Sequence, residues 1–152
     1  FTPFGLTIPE VPGDCVLENG VLANRMNGTQ VSLFNLDCQD ISIPEEFGIT
    51  DVTESTLCVA LIGKETFSIC EKLTALDFMD SQRRAPFLFQ GPFSHVPCQI
   101  VTLNKEGETA GLILTCSRGY GRDMIHSILE AGIEFNLKPA GESRFTNWIK
   151  SL

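Results

Sequence analysis

Apolar residues in this chain fall into short runs divided by turn residues, and after two of those runs the spacing lengthens from two to between three and four. Val16-Leu17 and Val21-Leu22 flank Glu18-Asn19-Gly20. That predicts a hairpin, because Asn-Gly accepts positive φ at the turn. Asn27-Gly28 predicts a second turn, feeding the strand VSLFNL, apolar on both faces. Ile41 and Ile43 predict a brief strand closed by Pro44. The run LCVALI within Thr56 to Ile62 is continuous and partly β-branched, which predicts a central strand buried on both faces. CQIVTL at 98 to 103 and Leu112 to Cys116 predict two more strands, joined by the turn NKEGE.

Helical spacing follows Gly63. Phe67, Cys70, Leu73 and Thr74 repeat on one stripe, widened by Ile69 and Leu76, and predict a helix over 65 to 76. A second helix is expected from a Ser117 N-cap to about Ala131, with Met124, Ile125, Ile128 and Leu129 inward and Gly132 in the left-handed position after its end. A last helix over 142 to 150 carries Phe145, Trp148 and Ile149. Residues 1–14, with three prolines and two glycines, read as an irregular opening segment. Residues 77 to 94 read as a loop with an aromatic centre, FLFQGPF. That loop either tucks Phe87, Phe89 and Phe93 over a core edge or presents them to a partner or ligand.

The order strand, helix, hairpin, helix predicts an α+β fold, a ferredoxin-like (split βαβ) sheet with its helices packed on one face. The length of 152 residues fits a single domain over 1–152, long enough to bury about 70% of its unfolded surface without staples. Phe1 to Pro12 carries no basic signal-peptide region. Because the chain opens on Phe rather than Met, the natural chain is expected to extend further.

A net charge of -8 with no Lys/Arg cluster beyond Arg83-Arg84 argues against nucleic acid as a partner. No apolar run approaches the roughly 20 residues of a membrane span. The six cysteines form no CxxC pair, so zinc or redox motifs are not expected. Several sit inside apolar runs, which favours reduced core cysteines and a cytoplasmic setting over a disulfide or a reactive thiol.

The chemistry-bearing residues are few. His95 follows the aromatic loop, and His126 sits one helical turn from Arg122. Neither has an acidic sequence neighbour to set its tautomer. SRGYGRD places two glycines at a helix start, where Arg118 and Arg122 would assist an anion. The plainer reading is a close strand-to-helix turn. Arg118, Arg122, His95 and Gln99 are the candidate ligand-binding set; no catalytic residue and no metal ligand is assigned.

Two stretches resemble the glycine-cleavage T-protein (aminomethyltransferase) superfamily. FGITDVTESTLCVALIGKETFSICEKLTALDF, residues 47 to 78, is similar to the family's passage from a short Asp-Val segment into a strand, then Gly, then a helix. The second stretch, residues 107 to 145, ends in EAGIEFNLKPAGESRF, which is similar to the family phrase Glu-Ala-Gly, Phe-Gly-Leu, Pro-Ala-Gly. The resemblance implies a folate-binding-domain-like fold. It also exposes departures. The family's folate-contacting Glu follows a Gly-aromatic pair on a strand, whereas Gly111-Leu112-Ile113 places an apolar residue there. The catalytic Asp strand has no counterpart, and none of these 152 residues is expected to correspond to the family's C-terminal domain. A pterin site stripped of a buried polar partner loses much of its discrimination.

The resemblance is therefore to short members such as the sarcosine oxidase gamma subunit. It implies a non-catalytic structural or interaction subunit in one-carbon or N-methyl amine metabolism, not an enzyme on its own. The implied partner is a larger T-protein-like or oxidase subunit, or a second copy in a homodimer. Phe87, Phe89, Phe93 and Trp148 are the candidate contact residues. No cofactor is expected under this reading. One alternative is a minimal folate-dependent aminomethyl transferase completed by dimerisation, with tetrahydrofolate as cofactor. Another is a small anion-binding module using the SRGYGRD helix start.

Overall fold

A computed structural model describes residues 5–37 and 48–152 of the chain. The expected strand at Ile41 and Ile43 lies outside those residues. The described fold is α+β, with two antiparallel sheets and three helices. Strands β1 (Cys15–Glu18), β2 (Val21–Arg25) and β3 (Val31–Asn35) form the smaller sheet in that order. The β1–β2 turn uses Asn19 at φ 51° and Gly20 at φ 74°, the conformations that match strand twist in a two-residue hairpin. Asn27 shapes the next turn, its side-chain oxygen accepting from the N–H groups of Thr29 and Gln30 at 2.9 Å each.

The larger sheet contains β4 (Thr56–Ile62), β5 (Phe87–Phe93), β6 (Val96–Asn104) and β7 (Gly111–Ser117), ordered β4-β7-β6-β5. Every neighbouring pair is antiparallel. β4 and β6 therefore run in the same direction on either side of β7. FLFQGPF is β5 rather than a loop, paired along its whole length with β6. Pro92 is tolerated because β5 lies at the sheet's edge, where a missing N–H need not break a ladder. β4 is also an edge strand rather than a central one. Its apolar continuity has a different cause: Leu57, Val59 and Leu61 pack towards the helix layer, while Ala60 and Ile62 pack towards the small sheet.

Helix α1 (Thr66–Cys70) and helix α2 (Gly121–Gly132) cover one face of the larger sheet. Phe67, Cys70, Met124 and Ile128 meet Ile100, Leu112 and Leu114 there. Helix α3 (Glu142–Ile149) lies on the opposite face, with Trp148 and Ile149 packed among Leu22, Val101 and Ile113. The expectation of all helices on one face is thus corrected. The small sheet contributes Leu22 and Leu36 to this second core, so it and α3 share one side of the larger sheet.

Three helix boundaries differ from the sequence pattern. α1 ends at Cys70 instead of Leu76. The residues after it turn so that Leu73 accepts from the Ser94 N–H at 2.7 Å and Thr74 Oγ1 donates to the Pro92 carbonyl at 2.7 Å. These bonds to the β5–β6 hairpin replace further helix. Ser117 makes no capping bond, because a 3-10 turn at 118–120 separates it from α2. Gly132 keeps right-handed geometry at φ -86°, and Asn136 takes the left-handed position at φ 57°. Glycine is needed at 132 for space: a Cβ there would lie 2.5 Å from Leu137 Cβ.

Candidate functional site

The ladder register brings the turn before β6, the end of β7 and the start of β4 to one end of the larger sheet, with Thr56 opposite Ser117. Arg118 leaves β7 there through the 3-10 turn. Its Nη1 donates to Glu54 Oε2 at 2.9 Å and to the Glu54 carbonyl at 3.0 Å. The guanidinium that would meet an anion at this helix start is thus engaged by a carboxylate. The pair is exposed, so it fixes the approach to β4 while contributing at most about 1 kcal/mol.

Arg122 is exposed on α2 beside a shallow depression of about 480 Å³ lined by Asp123, Ile125, His126 and Leu129. All these residues belong to the same helix. His126 is exposed, with Nε2 3.9 Å from Glu130 Oε2 one turn later. His95 occupies the tip of the β5–β6 hairpin at φ 67°, following Ser94 at φ 48°. It is exposed, while Ser94 anchors the tip through its hydroxyl, 3.0 Å from that of Ser127 on α2.

Gln99 lies on the other face of the sheet. Its Oε1 accepts from Ser32 Oγ at 3.1 Å, across the gap between the two sheets. The four nominated residues therefore do not converge. Arg118 and His95 share a sheet end, Arg122 faces outward, and Gln99 belongs to the inter-sheet layer, because alternate residues of a strand point to opposite faces.

That layer holds a polar group that sequence reasoning missed. Ser32 stands directly opposite Asn24 in the β2–β3 ladder. Thr115 Oγ1 donates to the Gln99 carbonyl at 3.4 Å. Asn24 is fully buried, and neither its amide nitrogen nor its oxygen has a hydrogen-bond partner. Such a group is costly in an interior. The one sequence sign was polar residues on a strand otherwise built of apolar ones.

A second hollow, of about 270 Å³, opens between α1 and the turns after it. Glu71 and Asp77 stand at its rim over Phe67 and Phe78. Asp77 already accepts from the Met79 N–H at 2.9 Å. Among the described residues no cluster of His, Cys, Asp and Glu is arranged to hold a metal ion. No helix among them is long and apolar enough to cross a membrane.

The residues nominated for partner contact are placed inside the molecule. Phe87 and Phe93 are buried, Phe89 is half-buried, and Trp148 is buried in the inter-sheet core. The aromatics pack on one another: Phe89 meets Phe78 edge-on at 5.6 Å and Phe87 at 5.4 Å between ring centroids. Arg83 lies 4.6 Å over the Phe89 ring. Gly111-Leu112-Ile113 opens β7, and Ile113, 1% exposed, packs beside Trp148. No family model matches the chain, and no curated protein matches its sequence.

Proposed function

We propose that this chain is a T-protein-like domain with a structural or interaction role, a small cytoplasmic subunit or paralogue tied to one-carbon or N-methyl amine metabolism. The observation that carries this reading is Ile113. At the strand position where the resemblance would put a folate-binding carboxylate, an isoleucine is packed into the core with Trp148 and Val101. A pterin ring needs polar partners there, and this wall offers apolar surface. The strands that α1 joins, β4 and β5, run antiparallel at opposite edges of the larger sheet, so its topology departs from a split βαβ unit and the kinship rests on the sequence resemblance.

The scatter of Arg118, Arg122, His95 and Gln99 weighs against a single anion or folate pocket built from them. A larger T-protein-like or oxidase subunit is the proposed partner. It would meet residues other than Phe87, Phe93 and Trp148, which serve the chain's own core.

Thermal unfolding with and without tetrahydrofolate in millimolar excess tests the reading. A ligand at ~100 times its Kd adds about 2.7 kcal/mol, visible as a rise of several degrees. The expected result is an unchanged Tm. A clear rise would overturn the non-catalytic reading in favour of the minimal transferase.

A further inference from the structure

Two of the described cysteines face each other across a strand pair. In the β6–β7 ladder Gln99 pairs with Thr115 and Ile100 with Leu114, and Cys98 and Cys116 are the next residue on each strand beyond that last pair. Both are buried in the core between the sheet and α1 and α2, each 6% exposed. The Cys116 thiol helps to raise that of Cys98, and Cys98 lowers that of Cys116, as neighbouring sulfurs do. The Cys98 thiol otherwise donates only to the Val96 carbonyl, at 3.3 Å.

We propose that Cys98 and Cys116 form a dithiol site that closes to a cross-strand disulfide by exchange with a low-molecular-weight disulfide. Directly opposed residues of an antiparallel pair have Cα atoms about 4.5–5.5 Å apart, inside the roughly 4.4–6.8 Å window of a disulfide. Their Cβ atoms start about 4.5–5.5 Å apart and need about 3.5–4.5 Å. Closure therefore asks for a movement of about 1 Å. The location favours it. The β6–β7 pairing ends at Gln99 and Thr115, and the next residue outward, Pro97, has no N–H to donate. The β6–β7 ladder makes no pair at the two thiols, while Cys98 stays paired with Gly91 and Cys116 with Leu57 on their other sides.

The chemistry balances in two exchanges. One thiol, as thiolate, attacks the external disulfide and forms a mixed disulfide, releasing one small thiolate. The second attacks the bound sulfur, forms the Cys98–Cys116 bond and releases the second. Two electrons pass to the external disulfide, and the two thiol protons end on the released small thiols. Burial pushes the Cys98 thiol up to about 12 and raises that of Cys116. The exchange therefore runs through local opening of the sheet end and is slow. Cys70 is an internal control, fully buried in the same core. Cys58 is a second control, exposed on the edge strand β4.

The test incubates the folded, reduced chain in glutathione buffers of rising disulfide fraction, followed by acid quench, alkylation and peptide mapping. The expected result is a linked peptide pair joining Cys98 to Cys116, lighter by two hydrogens, at ratios where Cys70 is still fully alkylated. Its Tm should exceed that of the reduced protein. In Cys98→Ala the link should vanish and Cys116 should appear free or as a glutathione adduct. If that variant fails to fold, the mapping of the unaltered chain decides alone. Cys98 and Cys116 remaining free while Cys58 reacts would overturn the proposal. So would separate glutathione adducts, or a link that forms only in denaturant.

Discussion

The indole of Trp148 fills the space that a side chain at Gly111 would need. A Cβ built on Gly111 would lie 2.6 Å from Trp148 Cζ2 and 2.7 Å from the Leu61 carbonyl oxygen. Trp148 Nε1 donates to the Thr109 carbonyl at 2.8 Å, which locks α3 to the start of β7. Gly111→Ala should lose about 1–3 kcal/mol, near the upper end because the second obstacle is backbone. Trp148→Ala should lose about 3–5 kcal/mol. Denaturant unfolding of both variants measures this. A near-neutral Gly111→Ala would show that α3 does not pack against β7 in solution.

Gly132 and Gly141 bracket the turn between α2 and α3, yet only the first is spatially constrained. A Cβ at 132 would strike Leu137, whereas one at 141 meets nothing within 4 Å. Neither has positive φ. Gly132→Ala is therefore expected to destabilise by about 1–3 kcal/mol through overpacking, and Gly141→Ala to stay within about 0.5 kcal/mol. Paired thermal melts compare them, and equal effects would refute the packing account.

Asn24 offers an unusual opportunity for stabilisation. Its amide is fully buried without a hydrogen-bond partner, opposite Ser32 and close to the apolar contacts of Leu22. Replacing such a group by an apolar one of similar shape is neutral or stabilising, because its desolvation is no longer uncompensated. Asn24→Leu should hold or raise stability by about 1 kcal/mol, while Asn24→Ala should lower it by leaving a cavity. Urea midpoints distinguish the two. A loss above about 2 kcal/mol in the leucine variant would mean that the amide is satisfied.

Alkaline pH should weaken the fold in a defined window. Burial, aided by Asp14 for Cys15 and Glu71 for Cys70, raises both thiols from the ordinary 9.0 to about 12, and burial aided by Cys116 does the same for Cys98. In the unfolded chain these thiols lose protons near 9, so above that pH the unfolded state binds fewer protons than the folded one. Their contribution is complete below about pH 9 and is lost progressively towards about pH 12. Urea melts across that range should show falling stability, and Cys70→Ala should flatten the slope. An unchanged slope in that variant would rule Cys70 out as a contributor.

Local signals in the chain are reliable where a structure is made locally. Asn19-Gly20 selected the hairpin because its two residues carry positive φ whatever surrounds them. α3 follows its stripe of Phe145, Trp148 and Ile149 to within a residue. FLFQGPF was misleading because Pro86 before it and Gly91-Pro92 within it resemble a loop, whereas pairing with β6 over seven residues outweighs that local preference. LCVALI announced apolar contacts on both faces, although only Leu61 is buried and Cys58 is exposed. It could not announce its place in the sheet, since faces are covered by side-chain packing and edges by backbone pairing. The candidate site residues were chosen by type of chemistry, and register then decided their partners: Gln99 bonds Ser32 between the sheets, and Arg118 bonds Glu54 at the sheet end.

The sequence by itself determined the turns, most of the strands, the stripe of α3, the inward Met124 and Ile128 of α2 (Ile125 is exposed) and the α+β class, because each rests on the conformational limits and periodicity of a few consecutive residues. Only the tertiary structure decided that β5 is a strand, that α3 crosses to the opposite face, that Gln99 meets Ser32 while Arg118 meets Glu54, and that Cys98 and Cys116 come to the same end of the β6–β7 pairing. Those outcomes depend on register and layer order, set by burying both faces of the larger sheet at once. No window of neighbouring residues contains that constraint.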